Sequence, residues 1–369
     1  MKQIGVQLRT IFPGIAVLGV IAWMSEITSR FIGEELMGFA KTPISTVMIA
    51  LLIGLIVGNL VKIPMIFEKG IQYGSKKLLR FGIVLLGLRL SLLQIGEVAL
   101  SILPIILICV LVGLFLPHLF NRWLKLPAEL VTLISVGTSI CGISAIVATS
   151  ESIPVKKEYT AYAIATITIF GLMSMLVYPF FAHAVFSANS NFAGLFLGTA
   201  IHDTSQVTGA AFIYQDYYHD EKVVEIATIA KLIRNTLMVF VIPGISLFSV
   251  KYFSAQPAEA SGTKKVKLIS LFPFFVIGFI IMAALRTVGD QVFQVNSIAI
   301  AGFNQNSWKS FVDLLLKLSS IFITMALASV GLKTSISVFK GLGFKPLFVG
   351  FITAMVVGAT SISLIFLFF

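Results

Sequence analysis

The chain has 369 residues, of which 57% are hydrophobic and 12% are charged, and its net charge is +11. A soluble protein of this length carries about twice that share of charged residues, so the composition excludes a soluble globular protein and indicates a polytopic membrane protein. The positive excess is typical of the cytoplasmic loops of such proteins and does not indicate nucleic-acid binding. The two cysteines, Cys109 and Cys141, both lie in apolar segments, which argues against a disulfide framework.

Apolar segments of about 20 residues recur along the whole chain, and each is long enough to cross a bilayer. The first resembles a signal peptide, but no cleavage motif of small residues follows it, so it is interpreted as the first span. We therefore predict an all-α polytopic membrane protein with about eleven transmembrane helices and no soluble domain. The predicted spans are 11–32, 44–62, 73–94, 97–120, 127–150, 158–186, 192–214, 220–250, 267–287, 308–331 and 344–368.

The charges of the connecting loops predict the orientation of the chain. Loops on one side are rich in lysine and arginine, whereas loops on the other side hold most of the acidic residues. By the positive-inside rule the basic side faces the cytoplasm, which places the N-terminus inside and the C-terminus outside. Representative basic residues are Lys62, Lys69, Lys76, Lys77 and Arg80, and representative acidic residues are Glu34, Glu35, Glu151, Asp216 and Glu221.

The fifth span contains two glycines and several hydroxyl side chains near its middle, in the stretch SVGTSICGIS (135–144). This pattern predicts an unwound segment, and a broken helix offers free N–H groups and a positive dipole end to an anion. The alternative is close packing of intact helices through small residues. The candidate substrate ligands in this stretch are Thr138, Ser139, Cys141, Gly142 and Ser144.

The seventh span contains a second polar stretch, GTAIHDTSQ (198–206), with a histidine next to an aspartate. Hydrocarbon does not tolerate such a segment unless it faces protein or water, so we predict half of a substrate site formed by Thr199, His202 and Asp203. His202 is expected to titrate near neutral pH, and Asp203 to fix its tautomer or to carry a proton, so both are candidate coupling residues. The alternative is a structural pair that ties two helices together.

Two basic side chains, Lys231 and Arg234, lie deep in the eighth span, too far from either end to reach water easily. Cations at this depth need an anionic partner, for which Asp203, Asp313 and a bound anion are the candidates. The paired N–H donors of an arginine suit an oxyanion. The alternative is an internal ion pair without any ligand.

Two further features concern the architecture. Asp313 and Lys317 are four residues apart in the tenth span, which predicts a local ion pair rather than a transport role. The stretch 198–203 also echoes 137–142, so inverted repeats are possible, with the fifth span paired with either the seventh or the tenth.

Motifs for other chemistry are absent from the sequence, which contains no nucleotide-binding, CxxC or HExxH motif. We therefore expect no cofactor, no metal site and no enzymatic activity. A hydrolase triad built on Ser144 or Ser205 with His202 and Asp203 is disfavoured, because adjacent helical residues point about 100° apart.

Five segments resemble the YeiH-like sulfate exporter family of bacterial inner-membrane proteins, over almost the whole chain. The segments are GIVLLGLRL (82–90), GTSICGISAI (137–146), GTAIHD (198–203), KLIRN (231–235) and ASVGLKT (328–334). The resemblance implies a bacterial plasma membrane location and a fold similar to sodium–proton antiporters and bile-acid symporters. It further implies discontinuous helices in a core domain, elevator-like motion and a homodimer. The core helices would lie near 73–150, 192–250 and 308–335, within one transport unit spanning 1–369, and the remaining helices would form the scaffold.

The main hypothesis is a secondary active transporter that exports a small anion, sulfate or an organic sulfonate, with coupling to protons or a cation. In it Lys231 and Arg234 neutralise the anion, and the site is exposed to each side of the membrane in turn. The second hypothesis is a cation–proton antiporter in which Asp203 binds the ion and Lys231 competes with it. The third is a non-transporting sensor or assembly protein whose buried charges are structural.

Overall fold

The computed structural model of the protein describes residues 2–36, 45–186, 189–253, 272–295, 304–334 and 344–369. Within these ranges the regular structure is entirely helical, as the sequence predicts, and short π-helical or 3₁₀ turns extend several helices. The α-helices are α1 (Lys2–Arg30), α2 (Thr46–Leu60), α3 (Met65–Tyr73), α4 (Leu79–Leu86), α5 (Leu92–Leu124), α6 (Ala128–Ser139), α7 (Ile143–Ser152), α8 (Lys157–Phe186), α9 (Ser190–Ala200), α10 (Thr204–Tyr218), α11 (Lys222–Thr236), α12 (Met238–Phe253), α13 (Phe275–Gly289), α14 (Gln305–Lys333) and α15 (Phe344–Phe368).

Seven helical segments of the described chain are long and apolar enough to cross a membrane. The predicted fifth and seventh spans are not among them, because each is divided into two shorter helices. The count of eleven spans and the inverted repeats therefore stay predictions. The seven segments are Thr10–Arg30, Ile95–Leu124, Lys157–Phe186, Lys222–Leu247, Phe275–Phe293, Gln305–Lys333 and Phe344–Phe368.

The chain folds into two compact units, each built from three separate stretches of sequence. Residues 73–98 and most of α14 pack with the N-terminal helices, whereas 99–150 belong to the other unit. Which helices move as a core and which serve as a scaffold stays a prediction. Unit 1 comprises Met1–Val98, Phe212–Glu225 and Phe274–Ile336, and unit 2 comprises Ala99–Ala211, Ile226–Pro273 and Ser337–Phe369.

Close approach of α2 and α14 holds unit 1 together. A Cβ on Gly54 would collide with the carbonyl oxygen of Ala328, and a Cβ on Gly331 would collide with that of Leu51. Small residues at such contacts let helix backbones meet, which is the usual way helices associate in membranes.

The predicted ion pair between Asp313 and Lys317 in α14 is not formed. Both side chains are exposed, and the ion pairs within the described ranges join other residues. The spacing of four residues permits a pair on an exposed helix face, but the small gain from such a contact does not enforce one.

Within unit 1, a hydrogen bond joins the last turn of α10 to the N-cap of α2. The Ser45 hydroxyl accepts from the Met48 N–H at 3.3 Å and donates to Asp216 Oδ2 at 2.8 Å. Burial raises the pKa of the Asp216 carboxyl from 3.8 to about 6, against the opposing effects of this hydrogen bond and of Arg89.

We expect Asp216→Asn to remove a pH-dependent contribution to stability. The pKa of Asp216 is higher in the folded protein. Its contribution to the free energy of unfolding is therefore complete below pH 3.8 and is lost as the pH rises through about 6. The melting temperature of the variant in detergent, relative to that of the wild type, should therefore increase as the pH is raised from 3.8 to about 6. Parallel pH profiles for the two proteins would contradict this assignment.

Two buried helices of unit 2 lead to the candidate site. Every residue of α6 from Leu130 to Ser139 is buried, as is every residue of α9 from Ala193 to Ala200. Near its end α9 is tied to the last helix, because the hydroxyls of Thr199 and Ser361 share a hydrogen bond of 2.6 Å. Unit 2 therefore holds the ends of α6 and α9 in fixed positions.

Candidate functional site

Two helix breaks lie next to each other in unit 2. The first separates α6 from α7 at residues 140–142, and the second separates α9 from α10 at residues 201–203. The first confirms the unwound segment predicted in the fifth span, and the second interrupts the polar stretch of the seventh. Gly142 has φ +68° and lies against Asp203, whose Oδ2 would be 2.8 Å from a Cβ at this glycine. We call residues 138–144 and 199–206 the junction.

Arg234 lies on α11 and donates hydrogen bonds to the C-terminal ends of α6 and α9. Its Nε donates to the carbonyl oxygen of Ser139 at 2.6 Å, and one Nη donates to those of Thr199 at 2.7 Å and Ile201 at 3.0 Å. Its other Nη donates to the carbonyl oxygen of Thr138. The side chain is only 1% exposed, so its guanidinium is bound wholly within the protein.

Lys231 binds the same two helix ends one turn earlier on α11. Its Nζ donates to the carbonyl oxygens of Ile140 at 3.0 Å and Ile201 at 3.2 Å, and also to that of His202. Both cations thus occupy the negative dipole ends of α6 and α9, where a positive charge is most stable.

Neither cation has the acidic partner that the sequence predicts. In the described part of unit 2 no carboxylate lies within the 4.0 Å limit of an ion pair with Lys231 or Arg234. Backbone carbonyls satisfy their N–H groups instead. The role of the two residues in neutralising a substrate anion stays a prediction, and any such effect would act through their charge.

Three of the predicted hydroxyl ligands bond within their own helices. The hydroxyls of Thr138, Ser139 and Thr199 donate to carbonyl oxygens four residues earlier, at 2.6–2.7 Å. The protons of these hydroxyls are therefore already engaged in hydrogen bonds, although the hydroxyl oxygens can still accept hydrogen bonds. Cys141 is buried, with its sulfur 3.6 Å from that of Met238.

The start of α10 is capped by its own side chains. Asp203 Oδ1 accepts from the N–H of Ser205 at 2.9 Å and from its hydroxyl at 2.5 Å. Gln206 Oε1 accepts in return from the Asp203 N–H at 3.2 Å. This is a capping box, and its pattern of Asp followed three residues later by Gln is visible in the sequence. Ser205 and Gln206 are the contributors that the site prediction missed.

The start of α7, by contrast, receives no side-chain cap from its N-cap residue, and in its first turn the Ala145 N–H bonds the Cys141 sulfur. Gly142 precedes its first residue and offers no acceptor to the N–H groups of the first turn. Ser144 in that turn is exposed, and Asp203 beside it is partly exposed. A polar surface within a membrane span must face water or protein, so we expect one of these beside Ser144.

His202 lies at the second helix break and is completely buried. Its Nδ1 is 3.1 Å from the carbonyl oxygen of Thr138, which can only accept, so Nδ1 carries the proton. Its Nε2 has no hydrogen-bond partner among the described residues, and neither has Oδ1 of Asn235 on α11. Direct contacts therefore connect eight of the ten predicted site residues, all except Cys141 and Ser144, and His202 Nε2 among them is an unpaired acceptor.

Comparison with known proteins places the chain among membrane proteins. A family model described as "Conserved hypothetical protein 698" matches residues 13–350. A UPF0324 membrane protein of Streptococcus agalactiae is 32% identical over 338 residues, which are 92% of each chain. One from Fusobacterium nucleatum is 34% identical over 316 residues, 85% of this chain and 88% of the relative. One from Streptococcus pneumoniae is 36% identical over 269 residues, 73% of this chain and 74% of the relative. No solved structure matches.

Proposed function

This chain belongs to the UPF0324 family of membrane proteins, and from that premise we propose that it is a secondary active transporter of a small anion. The observation that supports this most is the start of α7, where Gly142 supplies no side-chain cap and lies against Asp203 at a break in the helix. Helix N-termini bind anions through their N–H groups and dipole, and transporters with broken helices use such ends for substrates.

The charge of the junction supports an anion rather than a cation. Lys231 and Arg234 each contribute one positive charge when ionised, and Asp203 contributes one negative charge, which leaves a net charge of +1. A bound monoanion would bring the sum to zero, which matters in a buried site where an uncompensated charge is costly. We propose sulfate or an organic sulfonate as the substrate class.

The proposal also covers the coupling ion, the direction of transport and the membrane in which the protein lies. We propose that protons or a cation drive export, with His202 and Asp203 as the coupling residues, and that the chain forms homodimers in the bacterial plasma membrane. The basic loops support a cytoplasmic N-terminus and an external C-terminus.

The test is the flux of labelled sulfate and alkylsulfonates into proteoliposomes containing the purified protein. Wild type should carry at least one of these anions, and His202→Ala and Lys231→Ala should each reduce the flux about tenfold or more. His219→Asn, at an exposed histidine in the turn after α10, is the control and should transport normally. Unchanged flux in the His202→Ala and Lys231→Ala variants would refute the assigned roles.

A second candidate function is cation–proton exchange. It is favoured by the three carbonyl oxygens around Lys231 Nζ, since such oxygens also bind sodium or potassium ions, and by the nearby Asp203 carboxylate. Proton flux that depends on sodium or potassium and needs no transported anion would select this function over the first.

A further inference from the structure

A cavity of about 350 Å³ lies in unit 1, between the end of α13 and the start of α14. Its volume is at the lower end of the range for small-molecule sites, and none of its lining residues belongs to the junction. Both helices lie in segments long and apolar enough to cross a membrane, and the cavity is at their ends, where water and lipid headgroups meet. The described residues that line it are Arg286, Gln305, Trp308, Lys309, Val312 and Asp313.

Part of the cavity wall is held in place by Asp290, in the turn that follows α13. Its Oδ2 accepts from Arg286 Nε at 2.6 Å, and its Oδ1 accepts from Trp308 Nε1 at 2.8 Å. One Nη of Arg286 also donates to the carbonyl oxygen of Leu88 at 3.1 Å. The indole of Trp308 is buried against Gly289, where a Cβ would be 2.1 Å from the ring. The guanidinium and the indole are therefore fixed before any ligand arrives.

The first turns of α14 add two charges to the cavity wall, Lys309 and Asp313. Both side chains are exposed, and within the described ranges no ion pair or hydrogen bond joins either of them to another residue. A lysine four residues ahead of an acid is the less favourable order on a helix, which is consistent with the missing pair. One cation and one anion thus line the same cavity without neutralising each other.

These charges favour a ligand that carries both signs. Arg286 and Asp290 compensate each other, and a lone anion beside Lys309 would be repelled by Asp313. A lone cation beside Asp313 would be repelled by Lys309 in the same way. A zwitterion satisfies both residues, provided that its two charged groups are close, because Cβ atoms four residues apart on a helix are only about 5–6 Å from each other.

The donors of the cavity indicate which charged groups such a zwitterion carries. A guanidinium binds the tetrahedral oxygens of a phosphate through its fork of N–H groups, and a lysine beside it adds a further charge-assisted donor. The described chain uses two of the five N–H groups of Arg286, so others remain for a ligand. The carboxylate of Asp313 only accepts hydrogen bonds, which suits the N–H groups of an ammonium.

We propose that this cavity binds a zwitterion in which a phosphodiester and an ammonium are joined by a short linker, as in the headgroup of an ethanolamine phospholipid. The phosphodiester contacts Lys309 and Arg286, and the ammonium donates to Asp313. Ligands with this chemistry come either from the bilayer, as the lipid, or from solution, as glycerophosphoethanolamine.

Trp308 provides a signal for binding at this cavity. The other two tryptophans, Trp23 and Trp123, are 65% and 71% exposed and can be replaced by phenylalanine. The purified full-length protein with these two replacements, in an uncharged maltoside detergent, is titrated with dihexanoyl-phosphatidylethanolamine and dihexanoyl-phosphatidylglycerol while its fluorescence is recorded. The glycerol lipid has the phosphodiester but no ammonium. The ethanolamine lipid should bind about fivefold more tightly, as one ion pair at an exposed site predicts.

Three variants on α14 test the assigned contacts. Lys309→Gln should weaken the binding of both lipids about fivefold and leave their ratio unchanged. Asp313→Asn should abolish the preference for the ethanolamine lipid. Lys317→Gln is the matched control, because Lys317 is also exposed on α14 but does not line the cavity, and it should bind both lipids as the unaltered protein does. All three side chains are exposed, so the variants should fold.

Glycerophosphoethanolamine, the same headgroup without acyl chains, identifies the source of the ligand. Weaker binding than that of the lipid, with the same response to Asp313→Asn, assigns the cavity to the bilayer lipid, whereas equal binding assigns it to a zwitterion from solution. Equal affinity of the unaltered cavity for the ethanolamine and glycerol lipids overturns the proposal, as does a preference that survives in Asp313→Asn. Because no residue of the junction is involved, such a failure leaves the proposed anion transport standing.

Discussion

Arg234→Leu is expected to cause a large loss of stability, because it removes the donor that two buried carbonyls share. The carbonyls of Ser139 and Thr199 lose their bonds of 2.6 and 2.7 Å, whereas those of Thr138 and Ile201 keep His202 and Lys231 as donors. At about 1–3 kcal/mol for each orphaned group, the expected cost is about 2–6 kcal/mol.

Thermal unfolding in detergent measures this loss. A cost in that range corresponds to a melting temperature lower by about 5–20 °C. Arg122→Leu is the matched control, because Arg122 is exposed in the same unit, and it should change the melting temperature little. Arg234→Lys should be intermediate, since it keeps the charge but loses the planar fork of donors. An Arg234→Leu protein as stable as the Arg122→Leu protein would mean that these carbonyls do not depend on the arginine.

The second large effect is expected from Gly142→Ala, which adds a single methyl group at the junction. The new Cβ would lie 2.8 Å from Oδ2 and 2.9 Å from Cβ of Asp203, closer than such atoms pack. Its backbone, at φ +68° and ψ −124°, is also a conformation that residues other than glycine adopt at a cost of about 1–3 kcal/mol. With about 1–3 kcal/mol for overpacking, the variant should lose about 2–6 kcal/mol and push the two helix breaks apart.

Gly244→Ala provides the control for this substitution. Gly244 lies within α12 of the same unit, and a Cβ there would meet nothing within 4 Å. That variant should be as stable as wild type or slightly more so, because alanine favours a helix over glycine. We expect Gly142→Ala to lower the melting temperature and abolish anion flux together. Normal flux in a stable Gly142→Ala protein would show that the junction tolerates displacement of Asp203.

The two helix breaks could be predicted from the sequence, because glycine and hydroxyl residues in the middle of an apolar span weaken the helix there. Gly142 and the polar run around His202 carry that signal, and the structure interrupts both helices at these points. Helix boundaries are less predictable. The third predicted span begins at 73, whereas α3 begins at Met65 and helical turns continue only to Arg89.

The partners of the two buried cations could not be predicted from side-chain patterns. The sequence places Lys231 and Arg234 deep in one span, but their partners are backbone carbonyls, which every residue carries and no sequence motif reveals. Asp203 illustrates the opposite case. The glutamine three residues after it indicates that Asp203 caps α10, and the structure shows that cap.

The bond between Thr199 and Ser361 has a consequence for biosynthesis. Ser361 lies in α15, whose residues are the last of the described chain to be synthesised. Until the ribosome has released them, the end of α9 lacks this clamp, so a nascent chain can insert its earlier helices before the junction takes its final shape. A chain truncated before residue 361 should therefore insert into the bilayer, but its junction should not reach the final shape efficiently.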